Sequence, residues 1–174
     1  MRAIFHLLPI AALTISVPAH ATVYLTVEQA QALMFPGASL TPTFLTLTDA
    51  QVSAIENASS TSVRDRTLRA WRASTGGWFI TDEVIGKHDY IPFAVAIDAN
   101  GTVKGVEILE YREAYGGGVR NPQWLAQFTG KKNGDDIRDG ESIRNISGAT
   151  LSSKHLTDGL RRLLASYAVA LANR

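Results

Sequence analysis

The sequence predicts an α+β fold: an antiparallel β-meander packed with N-terminal helices and a long C-terminal helix. Three observations carry this. Helix-start signatures crowd the first part of the chain, and β-rich runs separated by turn residues fill the middle. At the end, Leu156, Leu160, Leu163, Leu164, Tyr167 and Leu171 recur at helical spacing. No internal repeat or low-complexity linker divides the chain, so residues 22–174 are read as a single domain.

Ahead of that domain, Arg2, the apolar run from Ala3 through Val17 and then Ala19-His20-Ala21 have the form of a secretory signal peptide with an A-x-A cleavage site, residues 1–21. The expected location is periplasmic or otherwise exported. No later stretch approaches the roughly 20 apolar residues of a membrane span, so none is expected in the mature chain.

Thr26 with Gln29 forms a capping-box signature before Val27, Ala30, Leu33 and Met34, and Pro36-Gly37 stops the pattern, which predicts a helix over 27–35. Thr48 with Gln51 repeats the signature and predicts a second helix over 49–57. The segment TPTFLTLT between them reads as a short strand. From Arg66 onward TLRAWRA, GWFITDEVIG, YIPFAVAID and TVKGVEILEYRE predict a meander of about four strands, with Asn100-Gly101 as the clearest hairpin turn. Asn121-Pro122 reads as an N-cap with proline at the first helical position, opening a short helix through Phe128. Lys131 to Glu141 is charged and glycine-bearing, an exposed loop.

Composition excludes several chemistries. The chain has no cysteine, which removes disulfides, iron–sulfur ligation, redox dithiols and C-x-x-C-H haem attachment. Beyond the leader only His88 and His155 remain, without an H-E-x-x-H arrangement, so no metal site is expected. Removing Arg2 with the leader brings the formal charge from +1 to zero, and no basic patch argues for nucleic acid. There is no G-x-G-x-x-G for a nicotinamide cofactor and no G-x-S-x-G nucleophile elbow, so no catalytic residue is assigned.

The chemistry centres on NISGATLSSKHL, Asn145 to Leu156. A helix N-terminus exposes unpaired N–H groups and the positive end of the helix dipole, a ready seat for phosphate. Gly148 and Ala149 leave the approach open, while Ser147, Thr150, Ser152 and Ser153 supply hydroxyls that can donate to phosphate oxygens or be esterified. On the residues alone, a Ser152 or Ser153 that merely caps the helix is an equally valid reading.

SGATLSS resembles the S/T-G-A-T-x-S/T flavinylation motif of the periplasmic FMN-binding domain family, which includes the C subunit of the sodium-translocating NADH:quinone reductase and the G subunit of the Rnf complex. A second match lies upstream, where EYREAYGGGVRNPQWLAQFTGK supplies Glu113, Gly116 to Gly118, Trp124, Gln127, Phe128 and Gly130 in the order of the family's glycine loop and W-x-x-Q-F-x-G stretch. The resemblance covers about Gly77 to Leu164. It implies an FMN-binding domain-like fold and FMN joined covalently through its phosphate to Thr150 by a flavin transferase that uses FAD. The chain would then be an electron carrier with a membrane or periplasmic redox partner, rather than a stand-alone enzyme.

Tyr115, Gly116, Gly117 and Trp124 are candidates for the wall of the flavin ring, and Arg120 for stabilising a reduced, anionic ring. Trp124 reads equally as a core anchor, and Arg120 as a surface residue. Two positions depart from the family pattern. Arg144 stands where members often carry an acid, three places before Ser147, and the glycine loop reads EAYGGG rather than E-T-P-G-L-G. These departures sustain an alternative, a cofactor-less binding module with the same fold.

Overall fold

The computed structural model describes residues 22–113 and 117–174. The predicted leader, Tyr115 and Gly116 lie outside the described residues. The elements run β1 (Thr22–Val23), α1 (Val27–Met34), β2 (Leu40–Pro42), β3 (Leu45–Thr46), α2 (Asp49–Ser59), β4 (Thr67–Ala73), β5 (Trp78–Ile85), β6 (Tyr90–Ile97), β7 (Val103–Ile108), β8 (Glu110–Tyr111), α3 (Pro122–Leu125) and α4 (Thr150–Ala170). This is an α+β architecture, as expected.

The main sheet is antiparallel in the order β2-β4-β5-β6-β7, with β3 also paired to β4, so the predicted single strand between the first helices is two short ones on one edge. β1 and β8 form a separate two-stranded ladder. The Asn100-Gly101 hairpin forms as predicted: Gly101 takes φ +81° and the Asp98 carboxylate accepts from the N–H groups of Asn100 and Thr102.

Both faces of β6 are buried, which is why YIPFAVAI lacks polar alternation. Phe93, Val95 and Ile97 enter the larger core with Ile55 of α2 and with Leu156, Leu160 and Leu163 of α4. Ala94 and Ala96 enter a smaller core with Ala30 of α1, Phe35 and Phe79. Trp78 is buried and Trp71 half-buried on strands, where the sequence placed them. α4 lies close on β5 because Gly159 has no side chain; a Cβ there would overlap Val84.

The final helix starts earlier than its apolar stripe suggested. Thr150 is its first residue and Ala149 its N-cap, so Ser152 and Ser153 lie inside the helix and neither caps it. Among the described residues no helix is long and apolar enough to cross a membrane.

Candidate functional site

The start of α4 is an open helix end. Ala149 has no side-chain oxygen to offer, and the first α-type bond runs from the Ser153 N–H to the Ala149 carbonyl at 2.9 Å. The N–H groups of Thr150, Leu151 and Ser152 therefore find no hydrogen-bond acceptor among the described residues. Gly148 precedes them with φ +80° and open space where a Cβ would stand. Ser147, Gly148 and Thr150 are exposed, whereas Ala149 is buried.

The hydroxyls divide by depth. Thr150 presents its side chain at the surface. Ser153 is fully buried, and its hydroxyl donates to Asp139 Oδ1 at 3.0 Å, which ties the predicted 131–141 loop under the helix start. Ser152 is buried with its Oγ 3.4 Å from the Tyr111 hydroxyl. Burial raises the Tyr111 phenol above its ordinary value, against the smaller opposing pull of Ser152. These two serines brace the helix start from inside.

Three further contacts fix the surroundings. Trp124 Nε1 donates to the Arg144 carbonyl at 2.6 Å, while Gln127 Oε1 accepts from the Arg144 N–H at 2.9 Å. Gly118 lies against Ile146, whose Cγ2 would be 2.9 Å from an added Cβ. Glu113 Oε1 accepts from the N–H groups of His88 at 2.6 Å and Asp89 at 3.1 Å, anchoring the glycine loop to the β5–β6 hairpin. Burial pushes the Glu113 carboxyl up, but the His88, Asp89 and Lys87 N–H groups outweigh it and hold the carboxyl below its usual range.

Of the ring-wall candidates, Trp124 is buried, stacks edge-on against Phe128 at 5.1 Å and floors an open groove of about 470 Å³ that Gly118, Asn121, Arg144, Asn145 and Ser147 also line. Gly117 is exposed and opens a short 3-10 turn, Gly117–Arg120. Arg120 is placed elsewhere. Its guanidinium lies 3.3 Å from the centroid of the Tyr24 ring and lines a separate groove with Lys104 and Glu107. The structure brings Ser147, Gly148, Ala149, Thr150 and Trp124 into one neighbourhood and leaves Arg120 outside it. His155, a turn into α4, is half-buried with Nδ1 2.7 Å from the Ile85 carbonyl.

A model of the FMN-binding domain family matches residues 86–165, which span the β5–β6 hairpin, the glycine loop, the Trp124 segment and the open end of α4. That segment is similar to the FMN-binding domain family. Curated relatives over 70 residues include the C subunit of the Na(+)-translocating NADH-quinone reductase from Vibrio anguillarum, 43% identical, and its counterpart from Vibrio vulnificus, 41% identical. Each alignment covers 38% of this chain and 27% of the relative, so the chain spans about a quarter of the length of the curated relatives it matches.

The residues of the FMN-binding segment fit the phosphate end of that cofactor. Unpaired amides at a helix N-terminus, an open glycine before them and an exposed hydroxyl among them form the donor set a phosphate requires. Motif reading left Gln127, Gly118 and Glu113 out of the site, although each stands within one of the matching stretches. Gln127 and Glu113 contact backbone across the fold and Gly118 meets the Ile146 side chain, none of which spacing alone reveals.

Proposed function

We propose that this chain is an exported flavoprotein that carries FMN covalently through a phosphoester to Thr150 and relays electrons between a donor and an acceptor. Residues 22–174 act in this reading as one domain, freed of a leader at 1–21. The observation that carries it is the open start of α4, where Thr150 is exposed beside amides that have no acceptor among the described residues. The match of residues 86–165 to the FMN-binding domain family supports FMN as the cofactor. The Vibrio relatives are subunits of an NADH-quinone reductase, which supports a redox partner for this chain, membrane-bound or periplasmic.

When bound, FMN supplies reversible electron acceptance and release. The chain's own residues hold and place it. The amides of Thr150, Leu151 and Ser152 would neutralise phosphate charge, Ser147 would add a hydroxyl donor, and Gly148 and Ala149 would keep the approach free of side-chain bulk. Ser152 and Ser153 support the helix start from inside, Trp124 lines the groove that Ser147 also borders, and Gly117 would stand beside the flavin ring. A covalent link keeps the cofactor from being lost to a dilute compartment. Thr150 is an acceptor in maturation, which requires a flavin transferase, and not a catalytic residue.

Co-expression with a flavin transferase in an exporting host, followed by intact-mass measurement and peptide mapping, tests this. The wild-type chain should gain one FMN on Thr150, and Thr150→Ala should gain none. Undiminished FMN incorporation in Thr150→Ala would overturn the site. An unmodified, colourless wild-type protein would favour the binding module without cofactor.

A further inference from the structure

Within the loop leading to Thr150, Arg144 is gripped chiefly by its backbone. Arg144 donates its N–H to Gln127 Oε1 at 2.9 Å, and its carbonyl accepts from Trp124 Nε1 at 2.6 Å. Gln127 Nε2 donates in turn to the Trp124 carbonyl at 3.2 Å, so the two gripping residues, a turn apart, also hold each other. Trp124 is itself fixed, being buried and stacked against Phe128. The Arg144 side chain adds one contact, Nε to Gln127 Oε1 at 3.4 Å, at the long edge of hydrogen-bond range. Its guanidinium is otherwise exposed.

Fixing a residue at both its N–H and its carbonyl orients the peptide planes on either side of it. Ile146 is then seated against Gly118, and Ala149 donates its N–H back to the Ile146 carbonyl at 2.9 Å, which carries the constraint to the N-cap of α4, next to Thr150.

We infer that Trp124 and Gln127 are positioning residues which, by holding the backbone of Arg144, present the Thr150 hydroxyl to its phosphoryl donor, independently of the side chain at 144. This rests on the reading of Thr150 as the flavin attachment point. In that transfer a bond forms between Thr150 Oγ1 and the flavin-side phosphorus of a flavin dinucleotide. The bond from that phosphorus to the bridging oxygen breaks, AMP leaves, and the hydroxyl proton passes to a base of the transferase. A threonine hydroxyl is a weak nucleophile, so the step depends on placement, and an error of about 1 Å can cost on the order of a hundredfold. The short contacts at this position, 2.9 and 2.6 Å, are to the Arg144 main chain and need no particular side chain there.

The test uses the full mature chain with two readouts. One is amide hydrogen exchange across residues 144–149 in unmodified protein, and the other is the rate of FMN transfer to Thr150 by a flavin transferase with FAD. Gln127→Leu removes the acceptor and should speed exchange at the Arg144 amide about tenfold and slow transfer about as much, the factor of roughly one hydrogen bond. Trp124→Phe, which keeps the ring but loses Nε1–H, should act in the same direction. Gln127→Glu keeps the acceptor and should restore both readouts to within about threefold, as should Arg144→Ala. Unchanged exchange in both Gln127→Leu and Trp124→Phe would overturn the hold on Arg144. A collapse of transfer in Arg144→Ala with normal exchange would overturn its independence of the side chain. A wild-type chain that accepts no FMN overturns the reading of Thr150 and the presenting role with it, while exchange alone still decides whether the backbone is held.

Discussion

At the start of α1, Thr26 accepts from the Gln29 N–H at 3.2 Å while Gln29 accepts from the Thr26 N–H at 2.9 Å, and Thr48 with Gln51 repeats the reciprocal pair at the start of α2 at 3.3 and 3.0 Å. At the start of α4 the corresponding position is Ala149, which caps nothing, although Ser147, Thr150, Ser152 and Ser153 are all close in sequence. Hydroxyls are therefore abundant where the helix is open, and the fold places none of them at the cap. An N-cap side chain contributes about 1 kcal/mol, which α4 forgoes while the two other long helices collect it. The two capped helices lie outside residues 86–165; the open one begins inside them. The difference separates two helix ends closed by their own side chains from one whose first amides have no acceptor among the described residues.

The sharpest way to break this comparison is to close the open end. Ala149→Asp would place a carboxylate beside the free amides, where it complements the helix dipole but repels a phosphate. FMN attachment at Thr150 should fall by about tenfold, the factor of a like-charge repulsion of about 1.4 kcal/mol at close range. The far-ultraviolet circular dichroism should be unchanged, separating this loss from unfolding. Full flavin loading of the variant would show that the free amides do not receive the phosphate.

The converse change belongs at the capped ends. Thr26→Ala and Thr48→Ala should each lower stability by about 1 kcal/mol, or roughly 2–4 °C in melting temperature for a chain of this size. Neither should alter flavin attachment, measured as absorbance remaining on denatured protein. A cap variant that lost flavin without unfolding would blur the separation of the two kinds of helix end.

How far the sequence could be read follows the same divide. The capping boxes predicted helices over 27–35 and 49–57, and the structure has Val27–Met34 and Asp49–Ser59, because a reciprocal cap is a local event that four residues determine. The Asn100-Gly101 hairpin and the Asn121-Pro122 helix start were legible for the same reason. The start of α4 was misplaced because Ser152 and Ser153 have the composition of caps. Their actual roles depend on Tyr111 and Asp139, which only tertiary packing brings beside them. The exposed position of Thr150, the proposed attachment residue, falls within the motif the sequence singled out. The brace around it was not legible, since Trp124, Gln127 and Gly118 act on backbone or on a neighbour far along the chain.

The weakest contribution concerns Glu113, which holds the chain just after β8 to the turn between β5 and β6. Its folded-state carboxyl titrates below the usual glutamate value of about 4.3. A group with a depressed folded value contributes stability that is fully present above its unfolded value and is lost as pH falls through the folded one. Glu113→Gln should therefore melt slightly lower than the wild type at pH 6, by a few tenths of a kcal/mol once solvent screening is discounted. The gap should close as pH falls below about 4, where the wild-type carboxyl takes up its proton. Neither capped helix is held by this carboxylate, so Thr26→Ala and Thr48→Ala should keep their deficits across the same range. A Glu113→Gln deficit that persisted at low pH would mean that the side chain supports the loop by packing, and that its charge plays no part in keeping the glycine loop beside α4.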